Sequence, residues 1–270
     1  EFSGDKTKIL MLTHNVLSEE QGYKNIASAF SRNESYIKKE DDYIAFFVEK
    51  LEPAIESYLS KKFGKMFSYL ESKKPIISSH DKKNAWKDSM DRICQIRDVG
   101  TIGDMITHLQ EKQLPRLPDK IERKERNINE IRSKAEAERS EDEVLSLTRN
   151  TSLKNVAYKE IVSLTKFIED KTPFATKHGV KGAEFENVLI VFGRGWSQYN
   201  FGQMLGWCNS GIPTGKQDSF ERNRNLFYVV CSRPKVRLAL LFTQKLNDDA
   251  LATLGDFFGT EVIRALPNLQ

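Results

Sequence analysis

An α/β domain with a parallel sheet, interrupted by a mostly helical insertion, is the fold class this sequence predicts. Three observations carry it. Short aliphatic runs occur near the start and again after Pro173, the pattern of strands buried on both faces of a parallel sheet. Between them such runs vanish and apolar residues return at helical spacing. After Pro173, strand and helix alternate again. The expected boundaries are residues 1–34 and 174–270 for the α/β domain and 35–173 for the helical insertion.

Taken in order, residues 8–13 (K-I-L-M-L-T) form the first buried strand, which feeds a Thr-His-Asn turn. A helix over 18–30 follows, with Ser18 as N-cap and Gln21 completing a capping box. Ile44, Phe47, Val48, Leu51 and Ile55 then repeat at i, i+3, i+4, i+7 and i+11, a helix that Pro53 bends or interrupts. Tyr58, Phe63, Phe67 and Leu70 continue in the same manner, and Trp86, Met90, Ile93 and Ile96 mark another helix. Pro115 and Pro118 close a loop. Residues 119–143 are a charged run in which Ile121, Ile128 and Ile131 are too sparse for a coiled-coil seam. A solvated helix laced by i, i+4 ion pairs and an interaction helix both fit that run. Val156, Ile161, Leu164 and Phe167 place a last insertion helix over 155–168. Beyond Pro173 come a buried strand over 187–192, a helix over 221–232 stopped by Pro234, a buried strand over 236–242 and a tail helix around 249–258.

Composition narrows the function classes. The chain has 270 residues, 39% hydrophobic and 30% charged, enough for one large or two ordinary domains. No apolar run approaches the roughly 18 residues of a membrane span, and no secretion signal opens the chain. Its three cysteines form no C-x-x-C pair, so neither a zinc site nor a disulfide framework is expected, and reduced cytoplasm is the simplest compartment. The net charge of +4 is compatible with nucleic acid without demanding it. The polar opening E-F-S-G-D-K, without an initiator Met, reads as a fragment boundary or a cloning scar instead of a native start.

Two segments carry the chemistry. In 175–185 (A-T-K-H-G-V-K-G-A-E-F), Lys181 stands beside Gly182, where a cation and an unhindered backbone can approach a polyanion closely. Glu184 can accept hydrogen bonds from ribose hydroxyls, and Thr176 and His178 offer donors to a sugar-phosphate backbone. An ordinary loop before a strand fits the same residues. In 221–233 (E-R-N-R-N-L-F-Y-V-V-C-S-R), Leu226, Phe227 and Val230 form the buried stripe of a helix that exits on Arg233. A guanidinium there can reach a γ-phosphate or simply cap the helix carbonyls. Trp196, Tyr199, Phe201 and Trp207 suit either stacking on bases or packing between strand and loop.

In order and spacing, these segments resemble the C-terminal motor domain of superfamily-1A DNA helicases of the UvrD, PcrA and Rep type. Thr176, His178, Lys181, Gly182, Glu184 and Phe185 match that family's T-x-H-x-x-K-G-x-E-F, and Arg224, Leu226, Tyr228, Ser232 and Arg233 match its R-x-L-x-Y-V-x-x-[ST]-R. The resemblance covers residues 1–34 and 174–270. It implies a RecA-like domain 2A carrying a helical insertion 2B, with ATP and Mg²⁺ held mainly by a first motor domain. Glu184 would contact the nucleotide sugar, Arg233 would act as γ-phosphate sensor and arginine finger, and Gly182 and His14 would border the nucleotide. Thr176 and His178 would face single-stranded DNA, with Lys181 supporting that surface. The chain departs from the family at Thr13-His14, where members carry a Tyr-Arg pair, and at Pro234, where they carry alanine. His14 replaces an arginine only weakly, being mostly neutral near pH 7.

The opening T-H-N-x-L-x-x-x-x-G-Y, the G-R-G-W-S-Q-Y at 193–199 and F-E-R-N-R-N-L-F-Y-V-V-C-S-R-P together resemble the helicase-like subunit of the Gabija anti-phage system. That resemblance implies a companion OLD-type nuclease, DNA that is single-stranded or bears ends, and a defence role. A non-unwinding sensor or scaffold that regulates the nuclease is the alternative. The run Gly211-Ile-Pro-Thr-Gly215-Lys216-Gln217 imitates a phosphate loop but is one residue short and lacks the Mg²⁺-holding Ser/Thr. Alone, therefore, the chain is expected to hydrolyse ATP negligibly.

Overall fold

The computed structural model describes residues 6–11, 14–30, 34–70, 77–169, 171–175, 184–193 and 199–265. They fall into two compact units, Glu1–Leu17 with Asp170–Gln270, and Ser18–Glu169. Residues 18–34 thus cluster with the helical unit rather than with the sheet.

Strand β1 (Thr7–Met11) leads into helix α1 (His14–Glu20) and, past a turn, into α2 (Lys24–Ala29). The single helix expected over 18–30 is therefore two. Gly22 adopts φ +75°, while the N–H groups of Gly22 and Tyr23 donate to the carbonyls of Glu19 and Ser18. This Schellman arrangement closes α1 and leaves Ser18 buried inside it instead of capping a new helix. The start of α2 is capped from afar: the Glu160 carboxylate accepts from the Asn25 and Ile26 N–H groups at 2.9 and 3.2 Å. Tyr23, at the turn, packs its ring 5.4 Å from Phe167 and 6.1 Å from Tyr36, which draws 18–34 into this unit.

Helix α3 (Asp42–Phe46), capped by Asp41, runs through one π-helical turn at Phe47–Leu51 into α4 (Glu52–Leu59). Pro53 does not interrupt this helix. The wider turn before it accommodates a ring that lacks an N–H and crowds the carbonyl four residues back. Ile44, Phe47, Val48, Leu51 and Ile55 are all buried, as their spacing predicts. The stripe weakens afterwards. In α5 (Phe63–Leu70) Met66 is the buried residue, whereas Phe63 is half exposed.

Next come α6 (His80–Val99), α7 (Ile102–Lys112), α8 (Asp119–Ser133), α9 (Glu141–Lys154) and α10 (Lys159–Ile168). Capping boxes at Thr101/Asp104 and Ser140/Glu143 start α7 and α9. The charged run spans α8, a short 3-10 turn at Glu136–Glu138 and the start of α9, and α8 buries Ile121, Ile128, Ile131 and the carboxylate of Glu125 while its other charges are exposed or half-buried. It is solvated on one face only. Buried charges in this unit are paired: Arg97 grips Glu52 with two guanidinium nitrogens at 2.9–3.2 Å. Glu125 accepts from Tyr43 at 2.5 Å and pairs with Lys154 at 2.6 Å.

The sheet unit resumes with β2 (Phe174–Ala175), β3 (Phe185–Phe192), α11 (Phe201–Ser210), α12 (Gln217–Cys231), β4 (Pro234–Phe242) and α13 (Asp248–Phe258). All pairings are parallel, in the order β2-β1-β3-β4. Parallel neighbours need crossovers, and α11 and α12 supply the one from β3 to β4. Val188, Ile190 and Phe192 alternate inward from β3 and join Phe201, Leu205, Phe227, Val230 and Leu254 in one core. Strand β4 is not the buried strand expected from its apolar run. It ends the described sheet, so Val236 is 68% exposed and only Leu238, Leu240 and Phe242 pack on the core.

Candidate nucleotide-facing edge of the sheet

One backbone hydrogen bond and the strand register bring the ends of the key segments together. The Phe185 N–H donates to the Arg233 carbonyl at 3.0 Å, and Phe185 lies opposite Pro234 in the β3–β4 register. Glu184, one residue before Phe185, and Arg233, one before Pro234, are therefore neighbours at the amino edge of the sheet. Neither is sealed in the core.

Arg233 is held by the helix it leaves. Leu226, Phe227 and Val230 anchor α12 to the core, and the C-terminal turn offers carbonyls without intrahelical partners. The Arg233 Nε donates to the Val229 carbonyl at 2.8 Å, and one terminal nitrogen lies 3.3 Å from Ser232 Oγ. The helix-capping role foreseen for this side chain is thus present. A guanidinium has five N–H donors, so the same contact that caps α12 also fixes the orientation of the fork. Pro234 sharpens the exit by fixing its own φ and starting β4 directly after the bend at Arg233.

Electrostatics at this edge are dominated by one ion pair. Lys235 Nζ lies 3.0 Å from Glu184 Oε2. That hydrogen bond and charge, with the guanidinium of Arg233 adding to them, hold the Glu184 carboxyl below the usual carboxylate range. Glu184 is thus an ionised acceptor in contact with one cation and within the field of a second. Deeper in the same edge, the almost fully buried Lys8 donates to the Thr172 carbonyl at 2.8 Å and lies 5.9 Å from the centre of the Phe185 ring. It ties the approach to β2 to the start of β3.

His14 is not part of this cluster. It begins α1 after β1, and Met11 pairs with Val191, seven residues along β3 from Glu184. At about 3.3 Å per residue, that is roughly 20 Å away, at the carboxyl edge of the sheet. Thr176, His178, Lys181, Gly182 and Trp196 lie outside the described residues. Of the remaining aromatic candidates, Phe201 is core, Tyr199 stacks 6.0 Å over it and Trp207 packs against the core. The imitation phosphate loop is an exposed turn between α11 and α12, preceded by a helix instead of a strand.

Sequence reasoning missed Lys235, because a lone lysine beside a strand reads as a surface charge. Its signal was its place two residues past Arg233. It also missed Asn223, buried in α12, whose Oδ1 accepts from the Asn200 N–H at 2.8 Å and whose Nδ2 donates to the Ser219 carbonyl at 2.7 Å. Asn200 in turn caps α11. Among the described residues no group of three or more His, Cys, Asp or Glu side chains could hold a metal ion, and no helix is long and apolar enough to cross a membrane.

Residues 7–245 match the family described as UvrD-like helicase C-terminal domain. Over 85 residues the chain is 36% identical to the Gabija protein GajB of Bacillus cereus (strain HuB5-5), a stretch covering 30% of this chain and 12% of that relative.

Proposed function

Since the chain belongs to the UvrD-like helicase C-terminal domain family, we propose that it is the second RecA-like motor domain of an ATP-dependent DNA translocase or helicase. In this reading the sheet unit is domain 2A and the helical unit is the insertion 2B. The observation that carries the reading is the meeting of Glu184 and Arg233 at one edge of the sheet. An ionised, exposed carboxylate suits the hydroxyls of a nucleotide sugar, and a guanidinium on a packed helix end suits a γ-phosphate.

ATP supplies the phosphoryl bond whose hydrolysis drives movement. Its Mg²⁺ would be held by the phosphates and by a companion motor domain bearing the phosphate loop, in this polypeptide or another. Closure of the two domains would bring Arg233 onto the terminal phosphate, where an arginine finger contributes several powers of ten in rate. Thr176, His178 and Lys181 are assigned to single-stranded or end-bearing DNA, Gly182 to the nucleotide border. The likeness to the Gabija subunit supports a cytoplasmic defence role beside an OLD-type nuclease.

A second reading has one observation in its favour. Thr13-His14 replaces the family's Tyr-Arg pair, which suits a sensor that binds DNA and regulates the nuclease without unwinding. Strand displacement and DNA-stimulated ATP hydrolysis separate the two. The chain assembled with its companion motor domain should hydrolyse ATP and displace a strand, whereas the chain alone should do neither. DNA binding by the assembly without displacement would favour the sensor.

A further inference from the structure

Lys235 stands two residues past Arg233, with Pro234 between them. The β3–β4 register is irregular here, Phe185 lying opposite Pro234 and Asn187 opposite Arg237. Glu184, just ahead of Phe185 on the neighbouring strand, takes the Lys235 ammonium on its Oε2 at 3.0 Å. Both side chains of the pair are 58% exposed. An ion pair so placed does little to hold a fold together, and here its consequence is local charge.

A carboxylate that accepts hydrogen bonds from a nucleotide sugar also repels the phosphates of the same nucleotide. At this exposed edge solvent screens that repulsion with distance, so a neutralising charge acts best in direct contact. A lysine in contact with the carboxylate offsets the charge. It also fixes the carboxylate plane by engaging Oε2, so that Oε1 is the atom presented to a hydroxyl. Resting on the nucleotide reading above, we infer that Lys235 is a positioning residue of this site: it orients Glu184 toward the sugar and neutralises it against the phosphates. Lys235 adds one positive charge beside the Glu184 carboxylate and the Arg233 guanidinium, a balance suited to a polyphosphate.

The test compares binding of ATP and 2′,3′-dideoxyATP by the chain assembled with its companion motor domain, in the wild type and in K235Q, K235R, E184Q and E184Q/K235Q. K235Q should weaken ATP about three- to tenfold and erode the preference for ATP over the dideoxy nucleotide. K235R should restore both. In the E184Q background, K235Q should leave that preference where E184Q alone puts it. Thermal unfolding should be unchanged throughout, because both groups are exposed. An E184Q that loses the preference beside a K235Q that keeps wild-type values would overturn the role of Lys235. An E184Q that keeps the preference would instead overturn the sugar contact itself, and the inference with it.

Discussion

His108, on α7, illustrates how single residues in the helical unit carry conditions on stability. Ser89 Oγ has one hydrogen and spends it on the Leu114 carbonyl, so the imidazole Nε2, 2.9 Å away, must be the donor between them. Burial, with Arg92 and Lys112 nearby, holds this histidine below its ordinary pKa. A depressed histidine binds fewer protons folded than unfolded. Its contribution to stability is therefore fully present above the ordinary imidazole range, near 6.5, and is lost as pH falls from there through the depressed value. Thermal unfolding from pH 7.5 down to 5 should show that loss, and H108Q, whose amide keeps the donor without the titration, should flatten it; an equal slope in both would contradict the assignment. At this scale the sequence was readable where two motifs implied that residues meet, as Glu184 and Arg233 do at the sheet edge. It was unreadable where the role depends on a partner far along the chain, as for Lys235 with Glu184 and for Ser89 with His108.

Among the elements, α12 does the positioning. Its apolar stripe fixes it to β3 and α11, its exit presents Arg233, and its buried Asn223 organises the approach to α11 through the Asn200 N–H. Replacing Asn223 with alanine removes these side-chain hydrogen bonds and leaves the Asn200 N–H to find water, while the Ser219 carbonyl keeps its place in the helix ladder. Denaturant unfolding should register a loss of about 1–2 kcal/mol, and an N223A chain as stable as the wild type would mean that the bonds do not matter. Elements with a regular stripe were legible in advance: the five apolar positions from Ile44 to Ile55 are buried as spaced. Their ends were not. The Schellman stop at Gly22 and the π turn ahead of Pro53 depend on local hydrogen bonds that periodicity does not encode. The two-residue β2 is too short to leave a pattern, and the charges of α8 hid an isoleucine stripe that is in fact core.

For the whole molecule, the change of texture along the chain announced both the parallel sheet and the helical insertion, because strands covered on both faces and amphipathic helices bury apolar residues at different periods. Where the units divide was less legible, since Tyr23 and Phe30 carry nothing in the sequence to say which core they join. The central claim is that this sheet edge completes an ATP site on a companion motor domain. It is tested most directly by the rate of DNA-stimulated ATP hydrolysis in the assembly carrying R233A. The account predicts a fall of about a thousandfold or more in kcat, with the chain still folded and ATP still bound. Turnover at the wild-type rate would contradict it.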